Sequence, residues 1–201
     1  MPATPGARPA VDSRAGTLNG AVYGSATQDY RELMSTFPTG VAVVTGLDAD
    51  GAPQGMTCSS IASATLLPPT LLVCLRTGSR TLGAVTANGA FAVNLLHDGG
   101  QEVAELFARS EANRFSLVRW RMSEAGLPWL AEDAFAVAEC RVSHLHAVGD
   151  HTVVLGEVTR IAQVPGTPLL YGLRRFAAWP NPATRWGSAT PELDVRASGH
   201  R

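Results

Sequence analysis

No lysine occurs among the 201 residues, so all 16 basic residues are arginines. That absence removes several chemistries at once. A phosphate-binding Walker loop lacks its lysine, and a pyridoxal Schiff base has no amine to form it. Cysteine is scarce as well. Cys58, Cys74 and Cys140 are odd in number and without CxxC spacing, and the opening MPATPGARPAVDSRAGTLNG contains no apolar signal segment. Together these read as a reduced, cytoplasmic protein. No apolar run approaches the length of a membrane span. Charge of one sign is also lacking: the formal net charge of -1 leaves no basic stripe for nucleic acid and no polybasic patch for a membrane surface. Finally, no GxGxxG opens a helix after a strand, and strands do not alternate with crossover helices. Any dinucleotide is therefore not held in Rossmann fashion.

With 45% hydrophobic and 16% charged residues, the chain can bury one sizeable core, and one domain is expected. The Pro-, Gly-, Ala- and Ser-rich start predicts a flexible N-terminal segment over residues 1–25. The domain itself is expected over 26–179, followed by a patternless tail over 180–201. Ser25 and Gln28 resemble a capping box, and Tyr30, Leu33, Met34 and Phe37 fall on one helical face until Pro38 stops the helix.

The stretch from Phe37 to Ile61 organises the rest. Val41, Val43 and Thr45 alternate with Ala42 and Val44 in a β-branched run, and Asp50-Gly51 supplies a positive-φ turn, so a hairpin is predicted. Its returning arm, Gly55-Met56-Thr57-Cys58-Ser59-Ser60, is small and rich in hydroxyls for a core strand. It suits either a polar ligand or an exposed edge.

Downstream, Leu71–Leu75 reads as a strand and Ser79 as the N-cap of a short helix with Leu82 and Val85 inward and Asn88-Gly89 at its end. Free amides there, with the side chains of Ser79, Arg80 and Thr81, form a candidate anion site; the alternative is that Ser79 only caps the helix. Ala90 to Leu96 is a strand interrupted by Asn94, whose amide needs partners from a ligand or from backbone carbonyls. Gln101 to Ala108 has helical spacing. Phe135 to Val148 and His151 to Val164, joined at Gly149-Asp150, predict a long hairpin. Strand alternation puts Cys140, Val142, His144 and His146 on one face, but the spacing and the missing fourth ligand do not support a metal, and none is expected.

Six pieces in order resemble the flavin reductase family: PTGVAVVT, GMTCSS, Pro68-Pro69 before an apolar strand, Ser79-Arg80-Thr81, FAVNLL, and Gly149-Asp150-His151 with GEV after it. The resemblance runs from Tyr30 to Trp179. It implies a mainly β fold with peripheral helices, an antiparallel split β-barrel of Greek-key, FMN-binding type. It also implies an NAD(P)H-dependent flavin reductase that passes a hydride from NADH or NADPH to FMN or FAD. Such an enzyme is a homodimer that supplies reduced flavin to a partner flavin-dependent monooxygenase.

On that resemblance, Gly55, Met56, Thr57, Cys58, Ser59, Ser60 and Asn94 would hold the flavin ring and ribityl chain, and Ser79, Arg80 and Thr81 its phosphate. His151 would align the nicotinamide nucleotide, with Asp150 orienting it. The pair Arg114-Phe115 resembles a basic-aromatic pair near the flavin. PLLYGLRRFAAW resembles the closing strand, but with Gly172 where His or Arg is usual and Phe176 where Tyr is usual. Hydride transfer asks the protein mainly for positioning, with reacting atoms about 3 to 3.5 Å apart. Two rivals are a flavin- or haem-binding module without reductase activity and a thiol hydrolase built on Cys58 with a histidine.

Overall fold

The structure is a computed structural model that describes residues 27–110, 113–179 and 196–197. The flexible segment expected over 1–25 and the Ser25 cap lie outside the described residues, as does most of the expected tail.

In chain order the first elements are helix α1 (Thr27–Ser35) and strands β1 (Thr39–Gly40), β2 (Ala42–Leu47), β3 (Pro53–Cys58), β4 (Ile61–Leu66) and β5 (Pro69–Arg76). Helix α2 (Arg80–Asn88), β6 (Ala90–Leu96), α3 (Gln101–Ala108), β7 (Arg121–Met122) and β8 (Pro128–Trp129) follow. The long strands β9 (Ala134–Val148) and β10 (His151–Gln163) precede β11 (Leu169–Gly172), β12 (Arg175–Ala178) and β13 (Arg196–Ala197). Helix α1, apart from its last residue Ser35, falls in a compact unit that ends at Met34; none of the helix residues is buried.

The main sheet is antiparallel, in the order β3-β2-β6-β9-β10-β5-β4. Its sidedness explains how it curls. Ala42, Val44, Cys58, Val73, Leu75, Phe91, Val93, Cys140 and Val154 come from six strands yet form one buried cluster. Inward residues of distant strands can meet only if the sheet wraps around them, which makes this cluster a barrel interior. Each fully buried Val, Leu or Phe there contributes about 1.5–3 kcal/mol of transfer free energy. The alternate residues point outward. Val41 and Val43 pack on Val103, Ala104 and Phe107 of α3, which is why β2 is buried on both faces.

The two rims of the sheet, β3 and β4, are joined by only Ser59 and Ser60. There the amide of Cys74 donates to the carbonyl of Ser60 (3.1 Å). β4 was not anticipated from the sequence. It is an edge strand, almost wholly exposed, so it carries no inside-outside pattern to read.

The local expectations are otherwise realised with small shifts. The first hairpin turns at Gly51, φ 76°. Asp48 fastens it by accepting from the amides of Ala52 (2.8 Å) and Asp50 (3.1 Å) and from Gln54 Nε2 (2.9 Å). Those bonds, the Ala52 amide first, hold its carboxyl below the usual range. The long hairpin turns at Gly149, φ 58°.

Two expectations are corrected. Cys140 and Val142 do not share a face with His144 and His146. Gly156 pairs with Val142 and Leu155 with His144, so Ser143 is an extra residue, and this bulge reverses the strand's sidedness. Cys140 and Val142 thus belong to the interior cluster, whereas the exposed rings of His144 and His146 stack outside, 6.2 Å between centroids. Likewise, PLLYGLRRFAAW is not one strand. It is the hairpin β11–β12, in a separate sheet with β1, and it turns through Leu173 (φ 51°) and Arg174 (φ 59°). Two non-glycine residues in the left-handed region are what hid this turn. In the expected tail, Arg196 and Ala197 pair with Ile161 and Arg160.

Candidate active site

A cleft of about 850 Å³ opens on the outer surface of the barrel. One wall is the end of β3 and the link after it, where Met56, Thr57 and Ser59 line the cleft. Thr57 pairs with Val43, which packs on α3, and its hydroxyl donates to the carbonyl of Ala104 in that helix at 2.6 Å. Met56 and Cys58 lie on the inward face of β3, with Met56 at the cleft margin, whereas Thr57 and Ser59 on the alternate face turn to the cleft.

The opposite wall is the start of α2. Ser79 is its N-cap, in extended conformation, and its Oγ accepts from the amide of Leu82 at 3.2 Å. At the other end Gly89, φ 67°, closes the helix as the sequence led one to expect. Ser79, Arg80 and Thr81 all line the cleft. Thr81 does so although it is only 2% exposed. The turn before them is tight: Ser79 N donates to Arg76 O (3.0 Å), with Gly78 at φ 77°. Arg76 therefore stands beside the helix start and also lines the cleft.

The floor and far rim come from α3 and the β11–β12 hairpin. Arg114 donates from Nη1 to the carbonyls of Phe107 (3.0 Å) and Arg109 (2.9 Å), and its guanidinium lies 5.5 Å from the Phe107 ring centroid. It thus occupies the C-terminal end of α3, where carbonyls face a cation. Tyr171 and Phe176, with centroids 5.0 Å apart, supply aromatic surface. Among the described residues lining the cleft, Arg76, Arg80, Arg109 and Arg114 stand with one carboxylate, Glu105. On a chain of net charge -1, this concentrates positive potential where a phosphorylated, ring-bearing ligand fits.

The structure brings Met56, Thr57, Ser59, Ser79, Arg80 and Thr81 together and leaves four other expected contacts out of the cleft. Asn94 is fully buried and satisfied elsewhere: Nδ2 donates to Val43 O (3.0 Å) and Thr45 Oγ1 (3.1 Å), and Oδ1 accepts from Leu130 N (2.9 Å). Its partners are the protein's own backbone and a core threonine, which leaves no edge for a flavin. Gly55 faces aromatic rings instead of the cleft. A Cβ there would lie 3.0 Å from Phe107 and 3.2 Å from Phe115. Ser60 contributes its carbonyl to β5.

Cys58 lies inside the barrel, and burial pushes its thiol up to about 11. The residue is 4% exposed and its thiol donates to the carbonyls of Ser60 and Cys74 rather than to a histidine, which counts against the hydrolase reading. Phe115 packs edge-on against Phe107 and Trp120, so only Arg114 of the expected basic-aromatic pair reaches the cleft. His151 stands at the end of β10, next to the cleft residue Arg76 in the ladder, with Nδ1 2.9 Å from Asp150 Oδ1. That bond, with the charge of His151, holds the Asp150 carboxyl below its usual range. Reasoning from sequence missed Arg76, Glu105 and Tyr171. A charge ending an apolar strand just before a glycine turn was the one signal for Arg76.

The profile of the flavin reductase like domain matches residues 34–180. This chain belongs to the flavin reductase family. Flavin reductase (NADPH) of Lentzea aerocolonigenes is 55% identical over 152 residues, which is 75% of this chain and 89% of that protein. The reductase subunit HsaB of a flavin-dependent monooxygenase from Mycobacterium tuberculosis is 37% identical over 71% of this chain and 76% of its own. Among solved structures, the NADH:FAD oxidoreductase SgcE6 of Streptomyces globisporus, in complex with NAD and FAD fragments, superposes with a TM-score of 0.72. It is 34% identical, over 78% of this chain and 94% of that one. The antiparallel barrel described above is thus the split barrel of the flavin reductases.

Proposed function

We infer that the protein is an NAD(P)H:flavin oxidoreductase whose flavin lies in the cleft between the β3 end and the α2 start. The carrying observation is that Ser79, Arg80 and Thr81 meet at a helix N-terminus across the cleft from Thr57 and Ser59. Bound flavin, FMN or FAD, supplies the hydride acceptor at N5 for nicotinamide C4. The donor set fits it. Unpaired amides, two hydroxyls and a guanidinium suit a phosphate, and the apolar surfaces of Met56, Tyr171 and Phe176 suit a ring.

The chain's own work is positional. Thr57 and Ser59 orient the ring and ribityl chain from one side, α2 anchors the phosphate from the other, and the aromatic hairpin excludes water from the stacked rings. His151, steadied by Asp150, aligns the nicotinamide nucleotide at the rim. Like the monooxygenase subunit it resembles, the protein would deliver reduced flavin to a partner monooxygenase.

A homodimer accords with the exposed apolar residues Leu66, Leu67, Leu145 and Val148 on β4, the loop after it and the outer half of the long hairpin. The free thiols of Cys58, Cys74 and Cys140 accord with a reducing cytoplasm. No helix among the described residues is long and apolar enough to cross a membrane.

Steady-state oxidation of NADH and NADPH against FMN, FAD and riboflavin tests this reading. Turnover that requires added flavin supports it; flavin binding without oxidation of either nucleotide identifies a binding module instead. Sedimentation as a monomer at micromolar concentration with flavin bound removes the dimer.

A further inference from the structure

We propose that Arg76 and His151 together clamp a phosphate of the nicotinamide nucleotide, at a site distinct from the flavin phosphate site on Ser79, Arg80 and Thr81. The inference takes the flavin reductase reading as given and adds an anchoring residue to it. Its basis is ladder register. Arg76 of β5 is the direct antiparallel partner of His151 of β10, so the two side chains leave the sheet on the same face. That face is the outer one. Val73 and Leu75 alternate with Arg76 and point into the core, as does Val154 on β10.

The backbone pins both residues. Thr77 N donates to Asp150 O at 2.9 Å, stitching the strand end of Arg76 to the turn that carries His151. Arg76 lines the cleft and is exposed. With Nδ1 turned to Asp150, His151 has Nε2 for a ligand. As an imidazolium it donates from there to a phosphate oxygen, while the guanidinium donates beside it. Asp150 is the one carboxylate in the group. It faces His151 at 2.9 Å, and the charge of Arg76 also helps hold its carboxyl low, so that Arg76, His151 as imidazolium and Asp150 sum to one net positive unit. Two adjacent donors of this kind match a phosphate better than an amide or a ribose hydroxyl, each of which needs an acceptor as well.

Two phosphate groups of the nucleotide share this chemistry: the pyrophosphate, common to NADH and NADPH, and the 2′-phosphate, present only in NADPH. The test uses the flavin-loaded protein, with Arg76→Ala, His151→Ala and the double variant. KM values for both nucleotides are measured, with calorimetric binding of NAD+ and NADP+ and fluorescence titration of FMN and FAD. Each single variant is expected to weaken nucleotide binding about tenfold, the loss of one charge-assisted hydrogen bond, and flavin binding by much less, since Arg76 adds only to the general potential of the cleft. The double variant should weaken it by less than the product of the two. Parallel losses for NADH and NADPH assign the pyrophosphate, and a loss confined to NADPH assigns the 2′-phosphate. Unchanged nucleotide affinity in Arg76→Ala, strict additivity, or weakening of FMN and FAD in place of the nucleotides overturns the clamp. Calorimetry decides this independently of turnover, so absence of activity in the unsubstituted protein would count against the reductase reading alone.

Discussion

The Oδ1 atom of Asn94 accepts the amide proton of Leu130, 36 positions along the chain, at 2.9 Å. Through that bond and the two it donates to Val43 and Thr45, one side chain ties β2, β6 and the segment after β8 into a single outer layer.

Asn94→Ala should therefore be a stability variant and not a flavin variant. It leaves the Leu130 amide and the Val43 carbonyl with fewer partners in a dry setting, at a cost of about 1–3 kcal/mol for each group left unsatisfied. Urea unfolding is expected to show the loss. Titration of the folded fraction should show FMN affinity within about twofold of the original, and a larger drop would put Asn94 back among the flavin contacts.

Ser79→Ala combined with Thr81→Ala should weaken FMN and FAD far more than riboflavin, because the α2 N-terminus and its hydroxyls act only on the anion. Losing the cap costs about 1 kcal/mol of stability in addition. Fluorescence titration of the three flavins separates the effects; equal weakening of all three would place the phosphate elsewhere.

Thiol chemistry should be selective. Burial pushes Cys58 up to about 11 and Cys140 up to about 12, while Cys74 is only partly buried. Iodoacetamide at pH 8 is expected to label Cys74 first, with the other two reacting only on unfolding, as peptide mapping would reveal. Both folded values exceed the unfolded thiol value of 9.0. The unfolded chain thus loses these protons first, and stability falls as pH rises from about 9 through 11 to 12. Replacing both cysteines with alanine should flatten that alkaline slope; an unchanged slope would mean that other groups set it.

Gly156 sits at the bulge of the long hairpin, where a Cβ would come within 2.4 Å of Phe91 Cζ and 2.8 Å of Cys140 Cβ. Phe91 is fully buried and cannot swing away without opening the barrel interior. Gly156→Ala is expected to cost about 1–3 kcal/mol by overpacking, seen as a Tm lower by roughly 2–4 °C per kcal/mol. A Tm that does not move would show that the ring has room to yield.

What could be read from the chain was what is local. Ser79 and Gly89 mark the ends of α2 within one helix length, and Gly51 and Gly149 mark turns whose strands pattern themselves. The clustering of Ser59 with Ser79 and Arg80 came from family resemblance, since no local rule joins β3 to α2. What escaped depends on pairing across the fold. Asn94 looked like a ligand contact because its partner Leu130 lies on a segment with no pattern of its own. The slip at Ser143 exists only relative to Gly156 on the facing strand, so simple alternation gave two histidines the same face as Cys140 and Val142. Arg76 gains meaning only from the residue opposite it, and β4, bare to solvent, gave no periodicity.

The Ser59–Ser60 link has one more consequence. It is the seam at which the first and last strands of the curled sheet meet without a ladder between them, and the cleft opens along it. A molecule seated there acts as a keystone, resisting separation of the two rims in proportion to RT ln(1 + [L]/Kd). Starved of its ligand, the barrel would breathe first at this seam, and its turnover by proteases would then follow how much flavin is at hand.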